Sequence, residues 1–234
     1  MVVLQKGFNY SQDGPGNRLI YHLQGCNFKC KWCSNADSIP IENDNAENVS
    51  TDEILDEVIR SRMMFFDGGG VTFTGGEASL QYRELIPLLK KIKEYGINTC
   101  IETNGSVPAL REIANYIDYL IVDFKHYDAE MHVKWCGCPN TITRENTEYF
   151  LSSGRQIHIR IPVINGVNNN PVPFADYFSG FDTKNAVFEF LAYHEFGKDK
   201  WKGKYEIENG FVGQDTIDLF EKEFNSRGMK TVRT

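Results

Sequence analysis

From residue 19 onward this 234-residue chain alternates short apolar runs with amphipathic ones, and that alternation limits the folds open to it. Residues 19–23, 71–74, 98–102, 119–124, 156–163 and 186–192 read as strands. Ser50 with Glu53 forms a capping box, and Ile54, Leu55, Val58 and Ile59 give the helix behind it one apolar face. A helix over 80–95 turns Leu85, Leu88, Leu89 and Ile92 inward and stops at Gly96; Pro87 should kink it or mark an irregular first half. Further helices are predicted over 108–116, near 145–152, briefly after the Asn- and Pro-rich stretch 165–173, and over 214–224. A looser segment covers 135–143, and 229–232 reads as a closing strand. Strand–helix repeats of this kind build a parallel sheet wrapped by helices. Six strands are too few for a closed eight-stranded barrel; the expected fold class is α/β, a partial (β/α)6 TIM-like barrel rather than a doubly wound sheet, two arrangements that the strand pattern alone does not separate. With no linker, repeat or low-complexity segment, one domain over residues 1–234 is expected.

Composition narrows the setting. A hydrophobic content of 41% and a charged content of 24% are those of a soluble globular protein. No apolar run approaches the length that spans a bilayer, so no membrane association is expected. A net charge of −7 with no Lys/Arg block argues against general nucleic-acid binding. Six cysteines without a signal-peptide pattern suit a reducing compartment, and a cytoplasmic monomer is the expectation.

The unusual polar residues gather at the carboxyl ends of the predicted strands. Cys26, Cys30 and Cys33 follow the first, and Gly75, Gly76 and Glu77 the second. Glu102 with Thr103, Asn104 and Gly105 ends the third, Asp123 and Lys125 the fourth; Arg160 lies in the fifth, and Tyr193 and His194 end the sixth. In barrel-type α/β folds that rim is where active sites are built. Two glycines let backbone approach a ligand, and the Glu77 carboxylate can bind an ammonium; a plain strand-to-helix turn explains the tripeptide equally well. Asp123 and Lys125 project to one face, either toward a ligand or as a buried ion pair. Arg160, in an otherwise apolar strand, suits a carboxylate clamp. His194 alone reads as a satisfied core histidine.

The cysteine loop is the most specific of these signals. Three thiols lie within eight residues, spaced Cys-x-x-x-Cys-x-x-Cys. They offer three ligands where a closed cluster of four irons takes four, which would leave one iron open for substrate. Zinc with a remote fourth ligand remains an alternative, although zinc spacings usually come as two separated pairs.

Taken together, these residues resemble the glycyl-radical-enzyme activating enzymes of the radical S-adenosylmethionine (SAM) superfamily. The resemblance runs through Asp13-Gly-Pro-Gly-Asn-Arg18, the cysteine loop and Asn35, and Gly75-Gly-Glu77. It continues through Glu102-Thr-Asn-Gly105, Asp123-Phe-Lys125, Arg160 and Leu191-Ala-Tyr-His194, and so spans about residues 5–200. It implies the radical SAM type of partial barrel and an oxidoreductase of anaerobic metabolism, with one 4Fe–4S cluster on Cys26, Cys30 and Cys33. SAM would chelate the open iron, with Gly75, Gly76 and Glu77 at its amino group, Lys125 and Arg160 toward its carboxylate and ribose, and His194 at the adenosyl part. Asn35 belongs to the same matched set. Reductive cleavage would give a 5′-deoxyadenosyl radical that takes a Cα hydrogen from one glycine of a partner. The partner is a glycyl radical enzyme, with pyruvate formate-lyase the leading candidate, and Asp13 is implied to hold its glycine loop. A low-potential donor such as flavodoxin or ferredoxin is implied as well.

The chain departs from the family's pattern in places. Glu102 stands where the family has Asp, so the monovalent cation implied beside Glu102 and Asp123 meets a longer side chain. Leu191-Ala-Tyr-His194 replaces Leu-Pro-Tyr-His. No cysteine lies between Cys33 and Gly75, where many relatives carry further clusters. Cys136 and Cys138 remain open between a redox pair, auxiliary ligands and ordinary loop cysteines, while Cys100 reads as core. Two rival functions stay open: a radical SAM enzyme acting on a different glycyl radical enzyme or a small molecule, and a non-enzymatic electron carrier or zinc module.

Overall fold

A computed structural model of the chain describes residues 1–233. Its strands are β1 (Val2–Tyr10), β2 (Asn17–Leu23), β3 (Glu47–Asn48), β4 (Gly70–Gly75), β5 (Asn98–Thr103), β6 (Tyr119–Asp123), β7 (Ile157–Val163) and β8 (Ala186–Ala192). The α-helices are α1 (Thr51–Arg60), α2 (Tyr82–Glu94), α3 (Leu110–Ile113), α4 (Ala129–Cys136), α5 (Thr141–Ser152), α6 (Pro171–Phe178) and α7 (Gln214–Ser226). Hydrogen bonding links the strands in the order β3-β1-β2-β4-β5-β6-β7-β8, an α/β sheet that is mostly parallel. No helix among the described residues is long and apolar enough to cross a membrane.

The chain divides into two compact units. The first comprises Met1–Asn27, Asp37–Thr103 and Val107–Ile121. Here β1 and β2 form an antiparallel hairpin, and β2, β4 and β5 run parallel. β1 lies outside the predicted strands because its polar, largely exposed middle carries no apolar signal; pairing with β2 and β3 holds it. The capping box forms as expected: Ser50 Oγ accepts the Glu53 N–H at 3.2 Å and Glu53 Oε2 accepts the Ser50 N–H at 2.9 Å. α1 then buries Ile54 and Val58. The irregular start predicted for the 80–95 helix is a 3-10 turn, Ala78–Gln81. α2 continues through Pro87, which sits on its solvent face, where water can satisfy the carbonyl left without a donor. The helix predicted over 108–116 is two short pieces, α3 and the 3-10 turn Ala114–Tyr116.

Arg18 organises this unit from within, with no exposed surface. It donates to Thr72 Oγ1 at 2.7 Å, Val71 O at 2.9 Å, Pro15 O at 3.0 Å and Asn98 Oδ1 at 2.9 Å. One guanidinium thus ties the 11–16 turn to β4 and the start of β5. Burial lowers its pKa, against the pull of nearby acidic groups.

The second unit comprises Phe28–Ala36, Asn104–Ser106 and the chain from Val122 onward. β7 and β8 pair in parallel, with Arg160 opposite Glu189. Its core is aromatic: Phe124, Phe174, Phe178, Phe188, Phe220 and Phe224 are all buried. Phe178 and Phe188 meet at 4.8 Å between ring centres, and Phe188 and Phe224 at 5.0 Å. The closing segment is reduced to one parallel bridge, Thr231 to Phe188. α4 replaces part of the looser segment. Asp128 caps its start by accepting the Met131 N–H at 2.8 Å, and Gly137 ends it at φ 82°. α4 was hard to see because only His132 and Cys136, four residues apart, are buried along it.

Candidate functional site

In the first unit, parallel pairing sets Leu23 of β2 opposite Gly75 of β4, so the segments leaving the two carboxyl ends meet. The Gly76 N–H donates to Leu23 O at 2.9 Å and the Glu77 N–H to Gly25 O at 2.8 Å. A Cβ on Gly75, at φ 113°, would lie 2.4 Å from Leu23 N; one on Gly76 would lie 2.3 Å from Gly25 O. Only glycine permits this approach. The close contact expected with a ligand is therefore made, for these two N–H groups, with the chain that leads into the cysteines.

Glu77 is wholly buried. Its Oε1 accepts the Ser79 N–H at 2.9 Å, the Thr103 hydroxyl at 2.6 Å and the Ser79 hydroxyl, so it caps the 3-10 turn behind β4. The strand-to-helix turn left open by the sequence is present. Ser79 was missed, because a hydroxyl two residues downstream carries no motif, and Thr103, singled out only as part of the Glu102-Thr-Asn-Gly105 run, had no visible link to Glu77. Glu102 is half-buried and accepts from Thr74 Oγ1 at 3.2 Å. Cys26 is half-buried, and its N–H donates to Ile39 O at 3.1 Å. The Asp13 carboxylate accepts from Asn9 Nδ2 at 2.6 Å, and its carbonyl from Thr72 Oγ1 at 2.8 Å. Cys100 is buried, as expected of a core residue.

In the second unit, buried Phe28 and Trp32 anchor the cysteine loop, and Cys33 N–H turns back to Cys30 O at 3.1 Å. Trp201 Nε1 donates to Cys33 O at 3.0 Å, and Lys200 Nζ to Asn35 Oδ1 at 3.1 Å. Gly197 lets this segment lie on the loop, since a Cβ there would sit 2.1 Å from Ser34 O. Cys30 is buried and Cys33 half-buried. A hydrogen bond to Cys136, then burial, hold the Cys30 thiol well above the ordinary thiol range.

Lys125 Nζ pairs with Asp123 Oδ2 at 3.0 Å, the ion-pair arrangement that the spacing left open. Burial lowers the ammonium's pKa, but Asp123 and the thiols of Cys30 and Cys136 outweigh it, so the net shift is upward and the charge is kept. Arg160 Nε pairs with Glu189 Oε2 at 2.8 Å, and His158 Nε2 lies 3.1 Å from the same oxygen, all three buried. Glu189 was missed, although a lone carboxylate in the apolar run of β8 is a visible signal. His194 is exposed rather than core, stacked on Phe196 at 4.5 Å between ring centres, with its pKa lowered by partial burial.

None of the six cysteines is disulfide-bonded. Among the described residues, no three His, Cys, Asp or Glu side chains are placed to close on one metal ion. A four-iron cluster asks for less convergence, because each cysteine binds a different iron. The donor chemistry of the loop, three thiols on a pinned main chain, fits such a cluster.

Comparison with known proteins bears on the same residues. The model of the radical SAM superfamily matches residues 20–177. The pyruvate formate-lyase-activating enzyme of Staphylococcus epidermidis is 32% identical over 212 residues, covering 84% of each chain. That of Staphylococcus aureus strain USA300 is 32% identical over 213 residues, again covering 84% of each. Among solved structures, a domain of the pyruvate-formate lyase-activating enzyme from Bacteroides vulgatus shares the fold with a TM-score of 0.59 at 23% identity. That match covers 70% of this chain and 98% of the domain. SuiB of Streptococcus suis, bound to precursor peptide SuiA, gives 0.66 at 17% identity, covering 92% of this chain and 48% of SuiB. The sheet is thus the partial barrel of radical SAM enzymes, and the chain belongs to the radical SAM superfamily, in the family of the pyruvate formate-lyase-activating enzymes.

Proposed function

We propose that this chain activates a glycyl radical enzyme, with pyruvate formate-lyase the first candidate, by drawing a hydrogen atom from one glycine Cα. Sequence identity of 32% across 84% of both chains to enzymes named for that activation carries the reading. Cys26, Cys30 and Cys33 would hold one 4Fe–4S cluster. When bound, the cluster supplies one electron that splits the sulfonium C–S bond of SAM and so generates the 5′-deoxyadenosyl radical that abstracts the hydrogen.

The chain's own groups would bind and orient. Gly75 and Gly76, their backbone fixed by Leu23 and Gly25, would present carbonyl oxygens to the SAM ammonium, with the Glu77 carboxylate behind them. Lys125 keeps its charge and would face the carboxylate or ribose. Arg160 would act beside it, its guanidinium fixed in angle by Glu189. The exposed His194–Phe196 pair offers a flat surface to adenine, and Asn35 belongs with this group. Asp123 is already neutralised by Lys125 at 3.0 Å, so no monovalent cation is assigned to it and Glu102.

Asp13 would meet the partner's glycine loop. Tyr10 and Phe66, both about half exposed, stack at 5.9 Å near that turn, and such an aromatic surface suits a protein better than a small molecule. A flavodoxin or ferredoxin would deliver the electron, and the setting is the cytoplasm, with the enzyme a monomer. Anaerobic reconstitution with iron and sulfide tests the chemistry: a 4Fe–4S spectrum, and 5′-deoxyadenosine released on adding dithionite and SAM, are expected. Alanine at Cys26, Cys30 or Cys33 should abolish both. A zinc-loaded protein with no 5′-deoxyadenosine would sink the proposal.

A further inference from the structure

Lysines gather around the cysteine loop in a chain whose net charge is −7. Three segments of the second unit meet there. The loop, residues 28–36, lies against the end of α4: the Lys29 N–H donates to Cys136 O at 2.8 Å and the Lys31 N–H to Trp135 O at 3.0 Å. Residues 195–206 lie on the same loop through Gly197, Lys200 and Trp201, and Glu206 Oε2 pairs with Lys31 Nζ at 2.6 Å. Together, residues 28–36, 129–138 and 195–206 carry seven lysines and four carboxylates. Two of those carboxylates are already engaged, Glu206 by Lys31 and Glu195 by Lys198 at 2.8 Å. Lys29, Lys134, Lys202 and Lys204 are exposed and pair with no carboxylate among the described residues. The half-buried Trp135 ring has the Lys31 ammonium 5.4 Å from its centre and that of Lys134 at 5.0 Å.

We propose that this lysine-rich face is the docking surface for the electron donor, an acidic flavodoxin. This rests on the reading that the loop holds the cluster that takes up the electron. A donor centre works at low potential when negative charge surrounds it, so the face it presents is acidic and complements the unpaired lysines. Opposite charge steers the encounter and fixes its register. Placement favours the donor over the glycyl radical enzyme. Lys29 and Lys31 flank Cys30 in the chain, so a protein seated on them comes close to the cluster's ligands, whereas Asp13 belongs to the other unit. Trp135 favours a flavodoxin over a ferredoxin, because the flat apolar edge of a flavin packs on an aromatic ring as an inorganic centre does not. One electron then leaves the donor's reduced flavin and enters the cluster.

The test measures the association rate of flavodoxin with anaerobically loaded protein across a salt series. Wild type is compared with the triple variant Lys134→Glu, Lys202→Glu, Lys204→Glu. A control carries Lys184→Glu, Lys222→Glu and Lys230→Glu, three exposed positions outside the face, and so changes the net charge equally. The face variant should slow association by roughly tenfold or more at low salt and flatten its salt dependence. The control should associate far more nearly as wild type does, and dithionite-driven release of 5′-deoxyadenosine should be the same in all three. Unchanged association in the face variant, or an equal loss in the control, would overturn the proposal. So would a loss confined to ferredoxin or to pyruvate formate-lyase, which would give the face to another partner. If the face variant loads no cluster, Lys134→Glu and Lys202→Glu are read singly, each expected to slow association by roughly twofold. A wild type that loads no cluster removes the cluster reading and this inference together; a loaded wild type whose flavodoxin binding ignores these lysines removes this inference alone.

Discussion

At the scale of single residues, the charged groups that matter most are held by other parts of the chain. Arg18 has no exposed surface and donates to Pro15, Val71, Thr72 and Asn98, among others. Arg18→Met keeps much of the bulk but leaves buried carbonyls without donors, and should cost about 3 kcal/mol in urea unfolding. A loss under ~1 kcal/mol would mean water replaces the guanidinium. The motif that contains Arg18 was plain in the sequence, but its task was not. A motif names residue types, whereas the acceptors of Arg18 come from residues 53–80 positions away as well as from the adjacent turn. Glu77 shows the same limit. Its tripeptide was visible, while Thr103 and Ser79, which fix its carboxylate, became visible only once β4 and β5 were paired.

At the scale of elements, strongly patterned segments were legible and weakly patterned ones were not. α1 carries both a capping box and an apolar face, and it forms where expected. Ser50→Ala should lower stability by about 1 kcal/mol, read as a shift in urea midpoint, because the Glu53 N–H at the helix start loses its acceptor. α4 was missed since its buried face is one histidine and one cysteine. His132 donates from Nδ1 to Cys138 O at 2.6 Å, and Nε2 has no partner among the described residues. Burial lowers the pKa of His132, and of His126, below the ordinary 6.5. The unfolded chain therefore takes up these protons first, and stability falls as pH drops through 6.5. Urea midpoints measured at about pH 8 and pH 6 should show that loss, and His132→Asn should show less of it. An equal pH dependence in the variant would clear His132 of this role.

At the scale of the whole molecule, alternation of strand and helix was enough to give an α/β sheet, because each strand brings its own helix signal, while its radical SAM type was legible only through the motifs. It did not reveal β1, whose exposed polar middle carries no apolar signal. The chain forms two compact units. We read both as one domain over residues 1–234, which predicts a single urea transition with coincident fluorescence and circular dichroism curves. Two separate transitions would split that domain. The central claim is the transfer of one hydrogen from a partner's glycine, and it can be followed atom by atom. Pyruvate formate-lyase made with Cα-deuterated glycine should be incubated anaerobically with the loaded enzyme, SAM and reductant. The account predicts a glycyl radical signal on the lyase and one deuterium in the released 5′-deoxyadenosine. Unlabelled 5′-deoxyadenosine with no glycyl signal would contradict it.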